Sequence, residues 1–196
     1  MLPDFWAMIR AQSPVISHAE LASGIAFHHT SDAAFHDAPT FRLLTRWAFE
    51  ALVARGLERG RARAVAHVGI EILLDGELAR DERARVAYRQ GLAMAAPDAL
   101  GGSILWRNTG ESQRFENLRI GLAARGIAAD DVSPALVAFR LERALTGRKR
   151  LALEPSHTAL VEHWAREAGP RISQHAVPLF EGVARAVLEV RHRPTP

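Results

Sequence analysis

Apolar residues recur along this chain three and four positions apart, and nowhere do apolar and polar residues alternate long enough to argue a sheet. The spacing predicts a first helix from about Ser17 to His36, closed off by Asp37 and Pro39. Asp37 reads as the cap of the next helix. That helix, "TFRLLTRWAFEALVARG", carries an apolar stripe of Phe41, Leu44, Trp47, Ala48, Ala51 and Leu52, with Gly56 as its stop. "RGRARAVAHVGIEILLDGEL" is expected to be the most buried helix, with Val65, Val68, Ile72 and Leu73 apolar. "DERARVAYRQGLAMAAP" is a fourth helix, ended by Pro97, and "DALGGSILWRNTG" is the expected long loop.

Two more helices follow, over about Glu111 to Arg125 and after the cap-and-proline pair Ser133-Pro134. The last third, Pro155 to His192, is helical, with bends or breaks expected at Gly169-Pro170 and Pro178. The expectation is therefore all-α, a single-domain bundle of seven to eight helices over residues 1–192, with residues 193–196 a disordered tail.

Composition narrows the chemistry. The 196 residues are 48% hydrophobic and 24% charged, which suits a globular protein with a full core. There is no cysteine, so disulfides and thiolate metal sites are excluded and any metal falls to His, Asp and Glu. No apolar run reaches the length of a membrane span, and "MLPDFWAMIRAQ" has no secretion-signal pattern, so a cytoplasmic protein without a membrane partner is expected. Net charge is +3, but Lys149 is the only lysine and the arginines are mostly interleaved with acids, the pattern of solvated helix faces. The basicity thus argues little for nucleic acid.

The ligand-type residues cluster in two places. In "GIAFHHTSDAAFH", His28, Asp32 and His36 are spaced i, i+4, i+8 and share one helix face, with His29 flanking Asp32. In "HVGIEILLD", His67, Glu71 and Asp75 repeat the spacing. Two helices that each carry a His and a carboxylate one turn apart can surround a cation. Asp4 is a further acidic candidate. A lone His–carboxylate pair is usually a surface pair, but His67 and Glu71 lie on the most apolar helix, where unpaired polar groups are costly. Gly69 within that helix implies a close helix–helix approach. His18, His157, His163, His175 and His192 read as surface or core histidines, and the four tryptophans as core or pocket wall. Arg148, Lys149 and Arg150 read either as a solvated helix end or as a phosphate-binding patch.

"LPDF", "IAFHHTSDAAFHDAP", "HVGIEILLDG" and "GRKRL" occur in an order that resembles bacterial acyl-carrier-protein phosphodiesterases and their relatives, a family similar to the HD-domain metal-dependent phosphohydrolases. The resemblance implies an HD-domain-like helical fold and a metal-dependent phosphodiester hydrolase. Its substrate would carry a phosphodiester, the phosphopantetheine arm of acyl carrier protein being the family's own.

The resemblance implies metal ligands Asp4, His28, Asp32, His67 and Glu71, with Asp32 and His28 catalytic and Arg148 and Arg150 on the phosphate. His29, His36 and Asp75 are additional candidates. Such ligands suit Mn, Fe, Zn or Mg. The family tends to an Asp-His pair where this chain has His67 and Glu71, and it usually begins with a histidine-bearing helix ahead of the "LPDF" motif. The chain is accordingly expected to be N-terminally incomplete relative to that family, leaving an apolar groove that a homodimer would cover. The rival readings are a non-catalytic helical protein with a degenerate site and, ranked lower, a nucleic-acid-binding module.

Overall fold

The computed structural model describes residues 2–96, 100, 102–127 and 132–191. The expected tail and parts of the "DALGG" loop lie outside the described residues, as do Pro97 and His192. The protein is all-α, as the spacing predicts, with eight helices and one two-residue ladder among the described residues. The helices are α1 (Leu2–Met8), α2 (Ala19–Asp37), α3 (Pro39–Ala54), α4 (Arg59–Ala79), α5 (Glu82–Met94), α6 (Thr109–Arg125), α7 (Pro134–Leu145) and α8 (Pro155–Arg191). Strands β1 (Val15–Ile16) and β2 (Ile104–Leu105) pair antiparallel, Val15 opposite Leu105. Within the chain expected to be one domain, contacts group into two compact units: residues 1–33 with 82–127, and residues 34–81 with 128–196.

The first unit contains α1, most of α2, α5, α6 and the ladder. Its small core is Phe5, Leu92, Ala95, Phe115 and Leu122, with Trp106 packed on Phe115 at 5.1 Å between ring centroids. The spacing rules did not reveal α1, because seven residues are too few for a period to show. The start of α6 explains a buried acid. The Asn108 side chain accepts from the Glu111 N–H at 3.0 Å, and the Glu111 carboxylate accepts from the Arg107 N–H at 3.3 Å, a reciprocal cap. No residue of α2 is buried, so the histidine-rich helix presents its ligand-type side chains near solvent.

The second unit is a bundle of α3, α4, α7 and α8. One core cluster runs through it, from Leu44, Ala48 and Leu52 of α3 and Val65, Ile70 and Leu74 of α4 to Leu141 of α7 and Trp164 of α8. Gly56, at φ 91°, ends α3 in a conformation other residues rarely adopt, and the chain turns back into α4. Glu58 caps α4 by accepting from the Gly60 and Arg61 N–H groups at 2.9 and 3.2 Å. Those bonds hold its carboxyl below the usual carboxylate value. Gly69 shows why a glycine sits inside α4. A Cβ there would stand 2.7 Å from Cη2 of Trp164, which is fully buried, so α4 and α8 approach across a gap only glycine leaves open. Ser133 caps α7 as its position before Pro134 predicts, accepting from the Leu136 N–H at 3.3 Å.

The breaks expected in the last third do not occur: α8 continues through Pro170 and Pro178 as one helix of 37 residues. The reason lies in which face the prolines occupy. Both are exposed, and so are Arg166 and Gln174, whose carbonyls lose an N–H partner. Those carbonyls can turn to water, while Trp164, Ala168, Ile172, Ala176 and Leu179 bind the opposite face to the core.

Candidate metal centre and anion groove

His67 and Glu71 project from the same face of α4, one turn apart, opposite the Gly69 face that packs on Trp164. His36, from the last turn of α2, completes the group. Its Nε2 lies 3.5 Å from Glu71 Oε1, and the His67 Nε2 lies 3.3 Å from the same oxygen. The His36 and His67 rings stack at 5.0 Å, 14° from parallel, and Phe41 sets its edge against both, at 5.0 and 5.5 Å. Phe41 is buried in the core, so it fixes both imidazoles from beneath. The three side chains are about a third to a half exposed: 31% for His36, 32% for Glu71 and 45% for His67.

One ligand atom from each residue falls within 4.8 Å of the other two. Atoms bound about 2.0–2.1 Å from a tetrahedral metal lie about 3.3–3.4 Å apart. The two histidine–glutamate separations match that spacing without rearrangement. Three protein ligands leave positions free for water and substrate, the count found in catalytic rather than structural sites.

A groove of about 490 Å³ opens beside this group, between α3 and α4. Arg42, Thr45, Arg46 and Phe49 line it from α3, and Arg63 and His67 from α4. His36, which contacts Glu71, and Phe41 line it as well. Arg42 pairs with Asp37 at 2.5 Å, and Arg46 with Glu50 at 3.0 Å, both in exposed settings. Asp37 is therefore not the cap of α3: its carboxylate goes to Arg42, and the cap position is Ala38, which makes no side-chain cap bond.

The other residues singled out from the sequence fall as follows. Asp4, His28, His29 and Asp32 belong to the first unit. There the His28 Nε2 lies 3.5 Å from Asp4 Oδ1, and the His29 ring meets the His28 ring edge-on at 5.5 Å. Burial holds His28 below its usual pKa, while the Asp4 and Asp32 carboxylates pull the other way. Asp32 is exposed on α2, and Asp75 is exposed on α4 one turn beyond Glu71. Arg148 and Arg150 lie in the exposed turn after α7 and do not line the groove beside Glu71. His163 is an ordinary surface histidine, paired with Glu167 four residues on at 2.9 Å.

The arginines of the groove were not singled out from the sequence, yet a signal was present. Arg63, His67 and Glu71 run i, i+4, i+8 along α4, and Arg42, Arg46 and Phe49 run i, i+4, i+7 along α3. Each looks like a solvated stripe until the two faces are set side by side. Comparison with family models, with curated proteins and with solved structures finds no match for this chain.

Proposed function

We propose that the protein is a metal-dependent phosphodiester hydrolase whose centre is His36, His67 and Glu71. The carrying observation is that two imidazole nitrogens meet one carboxylate oxygen at 3.5 and 3.3 Å, at the head of a groove lined by three arginines. A divalent metal of the Mn, Fe, Zn or Mg group, when bound, supplies a Lewis acid and a water of lowered pKa. The protein does the rest. The Glu71 carboxylate would offset the metal's charge, and Phe41 holds both histidine rings in place. The guanidinium groups of Arg42, Arg46 and Arg63 face the groove, where they hold phosphoryl oxygens and spread the charge that develops as the ester bond breaks.

The HD-domain-like arrangement and the phosphopantetheine arm of acyl carrier protein, as implied by the motif resemblance, are part of this proposal. The second reading is a non-catalytic helical protein. It is favoured by the fact that the three side chains already satisfy one another as two His–Glu pairs. The assay is hydrolysis of bis-para-nitrophenyl phosphate and of holo-acyl carrier protein, with each of the four metals added in turn. Turnover that Glu71→Gln abolishes is expected. No turnover with any of the metals leaves the non-catalytic reading standing.

A further inference from the structure

We infer that the groove between α3 and α4 binds an organic phosphate ester, with the phosphate on Arg63 and the apolar portion against Phe49. This rests on the hydrolase reading for where the reacting phosphoryl group lies, but the groove's own chemistry is independent of any metal. Among the described residues its lining contains three guanidinium groups and no carboxylate, which selects an anion. Arg42 and Arg46 are tied to acids only by exposed pairs, the kind a ligand displaces at little cost.

Arg63 differs from both. Among the described residues no carboxylate pairs with it, and its guanidinium lies 5.9 Å from the centre of the Phe49 ring. It stands one helical turn before His67, so the cation and the candidate ligands share one face of α4.

The groove's size and its aromatic end argue for more than a bare anion. About 490 Å³ falls within the range of small-molecule sites and far exceeds a single phosphate. Phe49, half-buried, has the Arg59 and Arg63 guanidiniums at 5.2 and 5.9 Å from its ring centre, so an apolar surface and positive charge lie side by side. A ligand with phosphate at one end and a flat apolar group at the other meets both.

The test uses the full chain freed of metal by chelation and titrated calorimetrically with inorganic phosphate, glycerol phosphate and phenyl phosphate. Phenyl phosphate should bind at least about threefold more tightly than glycerol phosphate, since one aromatic contact contributes that much. Arg63→Ala should weaken all three ligands by about tenfold or more, through loss of a charge-assisted hydrogen bond. Phe49→Leu, which keeps an apolar side chain, should erase the phenyl preference. Equal binding of the three ligands, no binding of any, or an Arg63→Ala variant that binds as the parent does would each overturn the inference. Metal uptake on the same preparation separates the two claims: metal bound with no groove binding removes this inference alone, and groove binding with no metal removes the hydrolase.

Discussion

Adding one methyl group at Gly69 should destabilise the protein, and the same change at Gly121 should stabilise it. At Gly69 the new Cβ would lie 2.7 Å from Cη2 and 2.8 Å from Cζ3 of Trp164, with Leu141 Cδ1 at 3.5 Å. Ordinary contact begins near 3.4 Å, so the indole or the helix must move by about 0.7 Å (3.4 − 2.7). The indole is fully buried, so its movement must displace core neighbours. Overpacking of this kind costs about 1–3 kcal/mol, while alanine's better helix propensity returns up to about 1 kcal/mol. The net is a loss of about 0.5–2 kcal/mol, or roughly 1–8 °C in Tm for a chain of this size. At Gly121, inside α6, a Cβ meets nothing within 4 Å, so only the propensity gain of up to about 1 kcal/mol applies. Thermal unfolding followed by circular dichroism measures both variants. A Gly69→Ala protein as stable as the parent would refute the close packing of α4 on Trp164.

Two further outcomes are expected. Asp4→Asn should lower the His28 pKa further below its usual value of about 6.5, because it removes one of the carboxylates that favour the protonated ring; NMR titration of the ring protons reads it. A histidine held neutral by burial takes up its proton later in the folded than in the unfolded chain. The stability it contributes is therefore fully present above the unfolded value of about 6.5 and is lost as pH falls from there through the lower folded pKa, and Asp4→Asn should extend the loss to lower pH. Ser133→Ala should cost about 0.5–2 kcal/mol in denaturant unfolding, through loss of the cap on α7, and Ser133→Asp should retain most of it.

The helices were largely legible because their apolar residues repeat with the helical period over many turns, as in α3 and α4. The continuity of α8 was not. A proline reads as a break from sequence, and only the structure shows that Pro170 and Pro178 both face solvent while the core side of the helix is unbroken. The candidate centre was half legible. His67 and Glu71 were visible as an i, i+4 pair on one helix. His36 stood only as an additional candidate, because spacing along α2 groups it with His28 and Asp32. Its partners depend on how α2 ends and α3 begins, where Phe35 and Phe41 hold its ring at 5.4 and 5.0 Å. Spacing within one helix carries no information about which neighbour a terminal residue meets. The anion groove was illegible for the same reason: it exists only when the arginine stripe of α3 faces that of α4.

Metal uptake by His36→Ala and His28→Ala, side by side with the parent, tests the central claim most directly. Each protein is equilibrated with Zn²⁺ or Mn²⁺, dialysed free of unbound metal and analysed by mass spectrometry. One equivalent is expected in the parent and in His28→Ala, and none in His36→Ala. Loss of one of three ligands should weaken binding by more than the roughly 10- to 100-fold that losing an outer hydrogen bond costs. A parent that retains no metal, or a His36→Ala protein that retains it as the parent does, would contradict a metal centre at His36, His67 and Glu71.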